Sequence, residues 1–595
     1  MKKNNLTKQI LACIGIIILT IQGSGCSNFN KTLKEVTDVT VNKEEIQASF
    51  DEFVNQLFVD DVQSDSITLN YTLAKPESYG ITDFTPTLGD ASVAKMKENL
   101  VKAENTSKTL SDYSRSALTK EQQLLYDILV DYYTITGNEE KFFLYGEPLG
   151  NTTGIQGQLP VLLAEYNFYD KDDITKYIQV LLSVKDYFSQ LVEYEKEKSK
   201  AGLFMSDSTA DNIISQCEDF TKKPEENYLI DIFNDRIDDY KGLTEKEKTD
   251  FKKENKDAIL NHVIPAYQML IEELKKLKGT GKNNGGVCHF PDGKEYYEQL
   301  AQGITGSDMT IKEMKSALIK TMRSASLKMD SIYRNDEGIY DDFFDMEFPM
   351  KDPEKILTYL EDAVKEDFPT LEPVNCTIKY VHKSLEDHLS PAFYLTPAID
   401  NYSDNSVYIN GGKDNDLTQI FPTVAHESYP GHLLQNVYFN QQKPEPVRSL
   451  MNYGGYSEGW ATYCEMYSYN ICGIEENVAE FAKQYNILTL CLYAQMDIGV
   501  NYDGWDLDEL KEFLSDYGIT DEEAAKSVYD LVIDDPANYL QYVIGYIEFA
   551  NLRSTAEETL GDKFNLKKFH TFLLDIGPAP FSLISDYMDE WMKEQ

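Results

Sequence analysis

The chain has 595 residues and carries 100 acidic against 56 basic side chains, a net charge of −44. An acidic surface of this kind excludes nucleic acid as a partner, because phosphates are held by Lys and Arg. The length can bury a large core, and eight cysteines with no Cys-x-x-Cys pair exclude a dense disulfide scaffold and predict mostly free, buried thiols.

In chain order, Lys2, Lys3 and Lys8 precede a short apolar core, Ile10 to Ile21. This reads as a secretory signal over residues 1–25. Gly23-Ser24-Gly25-Cys26 resembles a lipobox, with Gly23 in place of the usual Leu, so Cys26 is the expected lipidation site and membrane anchor. Residues 26–45 then form a polar tether. The body divides on this reading into an N-terminal helical region, 46–375, and a region with the chemistry, 376–595.

Helix signals dominate the body. Thr119-x-x-Gln122, Thr244-x-x-Glu247, Thr310-x-x-Glu313 and Thr520-x-x-Glu523 read as capping boxes. Apolar residues at helical spacing from Ile174 to Leu191 predict a long helix, stopped by Gly202. A second long helix is expected from Glu245 to Lys278, kinked at Pro265. The Gly279–Gly286 run lacks phosphate-loop spacing and is a connector. Strand signals are few: Cys376 to His382 and Ser406 to Asn410. The fold expected is mainly α, a large helical body with a small β-sheet beside the helix that carries the chemistry.

That helix is marked by His426-Glu427-Ser428-Tyr429-Pro430-Gly431-His432, followed 26 residues after His432 by Glu458. Two of only seven histidines fall here, beside a glutamate. Two His and a distant Glu can hold a catalytic zinc ion, with a further carboxylate to work on its water. The spacing conflicts with one smooth helix. At about 100° per residue, His432 would sit roughly 120° around from His426. Proline removes a helical donor and glycine tolerates unusual dihedrals. Pro430 and Gly431 therefore predict a break that brings the two imidazoles back together. Glu465, two turns past Glu458, is either a hydrogen-bond partner of a ligand His or an exposed residue.

The His-Glu-Ser-Tyr-Pro-Gly-His-Leu-Leu-Gln run (426–435) and Glu-Gly-Trp-Ala-Thr-Tyr-Cys-Glu (458–465) resemble the bacterial family of domains of unknown function 885. Gly293–Tyr297, Ser390–Tyr394, Val407–Asn410, Tyr542–Gly545 and Phe569–Gly577 fit the same family. The resemblance implies a gluzincin-type zinc peptidase, with His426, His432 and Glu458 as zinc ligands and Glu427 as general base. It also implies an edge strand that pairs with extended peptide substrate. That role falls on Val407, Tyr408, Ile409 and Asn410, with a plain structural strand as the alternative. Tyr542 is the first choice, and His570 the second, for the donor that steadies the oxyanion. The expected activity is extracytoplasmic, zinc-dependent peptide hydrolysis. The rivals are a non-catalytic peptide-binding lipoprotein, another zinc hydrolase, or a glycosidase using paired carboxylates.

Overall fold

A computed structural model describes residues 43–137, 141–282, 285–383, 386, 389–412 and 415–595. The signal segment, Cys26 and most of the tether lie outside the described residues. Among those described, no helix is long and apolar enough to cross a membrane, and the six cysteines are free.

The fold is mainly α, with one small sheet. Helix starts follow the side chains that satisfy the first backbone N–H groups. Thr244 with Glu247 and Thr310 with Glu313 form reciprocal capping boxes. Thr119 and Gln122 exchange the same pair of bonds. The helix Glu522–Asp534 is capped by Asp521, one residue beyond the expected Thr520, because the Asp521 carboxylate accepts from the N–H groups of Glu523 and Ala524. The long helix Lys171–Ala201 buries Ile174, Tyr177, Leu181, Val184, Phe188 and Leu191, and ends at Gly202 with φ +75°. Before Pro265 the chain passes through a wider turn at Ile259–Val263, then continues as the helix Ile264–Leu277.

The sheet has three strands, β1 (Asn375–Tyr380), β2 (Ala392–Leu395) and β3 (Asp404–Ile409), in the order β1-β3-β2. β1 runs parallel to β3 with Ile378 opposite Val407, and β2 runs antiparallel with Tyr394 opposite Val407. This corrects one expectation. Val407, Tyr408 and Ile409 lie in the central strand, whose two edges are already taken by β1 and β2. The Asn410 N–H donates to Pro391 O. None of the four has a backbone edge free for substrate. The strand beside the motif helix is β2, a four-residue piece with no alternation to reveal it.

Buried apolar residues gather in two main clusters. One joins the first helices (Phe50, Leu129, Tyr133) to most of the buried apolar residues from Tyr297 to Met588. The other packs Ile67 with Leu149 to Leu274. The packing therefore does not divide at 375/376. The first helices share a core with the C-terminal half, and residues 149–274 build a separate layer against it.

Candidate metal centre

The motif breaks where Pro430 and Gly431 stand. A first helix runs Phe421–Glu427 and a second His432–Gln441, with Ser428 to Gly431 between them. The turn satisfies its own backbone. Ser428 Oγ donates to Val424 O at 2.5 Å, Gly431 N–H to Ala425 O at 3.1 Å, and Leu434 N–H to Ser428 O at 3.2 Å. Trp460 Nε1 and Cys464 Sγ both donate to Pro430 O, at 3.0 and 3.3 Å. Glycine is required at 431, since a Cβ there would lie 1.9 Å from the His426 carbonyl oxygen. The two helix ends meet closely enough to set both imidazoles side by side, ring centres 4.9 Å apart.

Glu458 arrives on the helix Gly454–Ser468, which lies against the helix Asn538–Leu560. The approach is so close that a Cβ on Gly459 would stand 2.4 Å from Gly545 Cα. Gln435 Nε2 also donates to Tyr456 O at 3.2 Å, tying the second motif helix to the Glu458 helix.

The result is a convergent set. Ligand atoms of His426, His432 and Glu458 all lie within 4.8 Å of one another. Glu458 Oε2 is 3.5 Å from His426 Nε2 and 3.5 Å from His432 Nε2. Two ligands about 2.1 Å from a tetrahedral ion are themselves about 3.4 Å apart. His426 Nε2 and Glu458 Oε2 are buried and have no hydrogen-bond partner, a costly condition that a cation between them would relieve. These residues fit a metal ion. On the far side of the ring, His426 Nδ1 lies 3.3 Å from Glu465 Oε2, an arrangement that fixes a ligand imidazole in one orientation.

The electrostatics agree. Burial opposes a charge on His426, but the carboxylates of Glu458 and Glu465 outweigh it and hold the imidazole pKa well above its ordinary value. Burial likewise opposes charge on Glu458, yet His432 and His426 bring its carboxyl down to about 2. The pocket favours net positive charge at its centre.

The centre opens on a cavity of about 1160 Å³, lined by Glu427, His432, Glu458, Tyr394, Tyr456 and Tyr542 among others. Glu427 is fully buried, and its Oε2 accepts from the Tyr394 N–H of β2 at 2.9 Å. Sequence reasoning missed this contact, because no local pattern announces which strand neighbours a helix. Tyr542 reaches the cavity. His570 does not, and its proposed catalytic part is corrected. It is fully buried, stacked on Phe368 with ring centres 4.1 Å apart. Its Nδ1 donates to Asp367 O at 2.7 Å, and its Nε2 accepts from Tyr463 Oη at 2.9 Å. Burial pushes its pKa down to about 3, so it is a neutral packing residue with both nitrogens engaged.

Comparison with known proteins agrees with this fold. A crystal structure named "putative lipoprotein" from Colwellia psychrerythraea superposes with a TM-score of 0.79 at 18% identity, covering 93% of this chain and 99% of that one. A second, named "putative lipoprotein of unknown function" from Shewanella oneidensis, gives 0.62 at 16% identity, covering 92% and 99%. At such identities the likeness is one of fold. No curated protein matches the chain. The family described as "Bacterial protein of unknown function (DUF885)" matches residues 76–588, and the chain belongs to that family.

Proposed function

We propose that this chain is a zinc-dependent peptide hydrolase acting on the extracytoplasmic side of a membrane, anchored there through lipid on Cys26. The observation that carries the reading is the meeting of His426, His432 and Glu458 within 4.8 Å at the wall of a large cavity that Glu427 also lines. Zinc suits two imidazoles and a carboxylate, and when bound it supplies Lewis acidity to a water and to the substrate carbonyl.

The remaining chemistry belongs to the chain. Glu427, held by the Tyr394 N–H, takes a proton from the attacking water and passes it to the leaving amine. Tyr542 donates its hydroxyl to the carbonyl oxygen as charge builds there. β2, rather than β3, lines the cavity beside Glu427, through Phe393, Tyr394 and Leu395. Glu465 keeps the His426 ring in register. On this reading the chemistry sits after residue 375, and the segment before it supplies part of the cavity wall through Tyr71, Gln156 and Tyr228.

The test is digestion of a peptide library by wild type, by wild type in chelator, and by Glu427→Gln, read by mass spectrometry. Cleavage that needs both metal and Glu427 supports the reading. Equal cleavage by all three, or none by any, removes it.

A further inference from the structure

Arg448 lies in the short helix Pro446–Leu450 and lines the same cavity. It is only 5% exposed. Its Nη2 donates to Ile576 O at 2.8 Å and to Pro578 O at 2.7 Å. Those bonds close the end of the helix Leu566–Ile576. Its Nε is buried with no acceptor. The guanidinium rests over the Phe439 ring, 5.1 Å from its centre.

What is missing is an acid. The ionisable groups that act on Arg448 are the tyrosines 456 and 453, and burial pushes its pKa down to about 10. In a chain with 100 acidic residues, a buried guanidinium without a carboxylate among the described residues is a large unreturned desolvation cost. Helix closure does not explain it. One amino group makes both carbonyl bonds, and a neutral glutamine would do the same without burying a charge. With both Nη2 hydrogens spent on carbonyls, the amino group that remains, Nη1, can meet a carboxylate through a charge-assisted hydrogen bond.

The second motif helix joins this site to the metal centre: Phe439, under the guanidinium, stands seven residues past His432, about 10 Å along the axis.

We propose that Arg448 is a subsite for a substrate carboxylate, in the same cavity that the metal centre opens on. The proposal rests on the hydrolase reading of the metal centre. The carboxylate is either the C-terminal α-carboxylate or an acidic side chain, and the experiment separates them.

The probes are four acetylated Ala/Ser octapeptides: a free acid, its C-terminal amide, an amidated peptide with one Glu, and the same with Gln. Wild type is assayed for turnover, and Glu427→Gln with zinc is assayed for binding by calorimetry. A preference of at least tenfold for the charged member of one pair, lost in Arg448→Gln, supports the proposal. The pair that shows it names the source. Turnover with no preference in either pair overturns the subsite and leaves the hydrolase standing. Carboxylate-dependent binding without turnover supports the subsite while the hydrolase reading fails. No binding of any probe overturns the subsite as well. The wild-type comparison does not depend on whether Arg448→Gln folds.

Discussion

Gly431→Ala is the substitution that most sharply probes the broken motif. A Cβ at this position would stand 1.9 Å from the His426 carbonyl oxygen, 2.6 Å from its carbonyl carbon and 2.7 Å from Ala425 O. All three are backbone atoms and none can swing aside. Restoring a contact of 3.0 Å asks the two motif helices to part by about 1 Å. Metal sites tolerate ligand displacements of about 0.2 Å, so the ligand set fails well before the fold does. Overpacking of this kind costs about 1–3 kcal/mol, a small loss for a chain with two large cores. The variant is expected to bind zinc at least 100-fold more weakly, measured by chelator competition, with an unchanged far-ultraviolet spectrum and a melting temperature in chelator lowered by a few degrees. Wild-type metal affinity in a folded Gly431→Ala protein would refute the claim that this close approach assembles the centre.

Three other changes probe different parts of the account. Glu465→Gln weakens the anchor on His426 and is expected to lower zinc affinity about 10–100-fold, read by the same competition; no change would return Glu465 to a surface role. His570→Leu leaves Tyr463 Oη and Asp367 O without their partner, costing about 2–4 kcal/mol in urea unfolding. Turnover per folded molecule should stay at the wild-type level, and a large fall would restore a catalytic part to this ring. Asp497 is fully buried, and burial raises its pKa to about 6 against the hydrogen bonds from Ala537 N–H, Tyr297 and Asn501. The folded state thus holds this proton more tightly than the unfolded one. The stability so gained is whole below pH 3.8 and is lost as pH rises through 6, by up to about 3 kcal/mol. Asp497→Asn keeps the accepting oxygen and removes the charge, so it should be more stable than wild type at pH 8 and gain little at pH 4. Equal gains at both pH values would contradict this sign.

What could be read from residues alone was whatever depends on local chemistry. Capping boxes, the stop at Gly202 and the turn before Pro265 are encoded within a few residues of where they act. The break in the motif was legible for the same reason: proline and glycine leave a helix few options, and the spacing of His426 and His432 could not be served by a smooth one. The meeting of His426, His432 and Glu458 was legible because few residue types can hold a metal and histidines are scarce here. What failed depends on distant partners. β3 has an ordinary strand pattern, but its place at the centre of the sheet is decided by β1 and β2 pairing on either side. His570 resembles a functional histidine until Phe368, Tyr463 and Asp367 are seen around it. The division at 375 failed because the helices near residue 50 pack with those past 287. Arg448 went unnoticed because the informative fact about it is the carboxylate that does not meet it, and no sequence pattern records that.

Crystals grown with zinc, with diffraction recorded on both sides of the zinc absorption edge, test the central claim most directly. The account predicts one strong anomalous peak within about 2.3 Å of His426 Nε2, His432 Nε2 and a Glu458 carboxylate oxygen, and its loss in His432→Ala. Density empty at that point, with zinc absent or bound at other side chains, would contradict it.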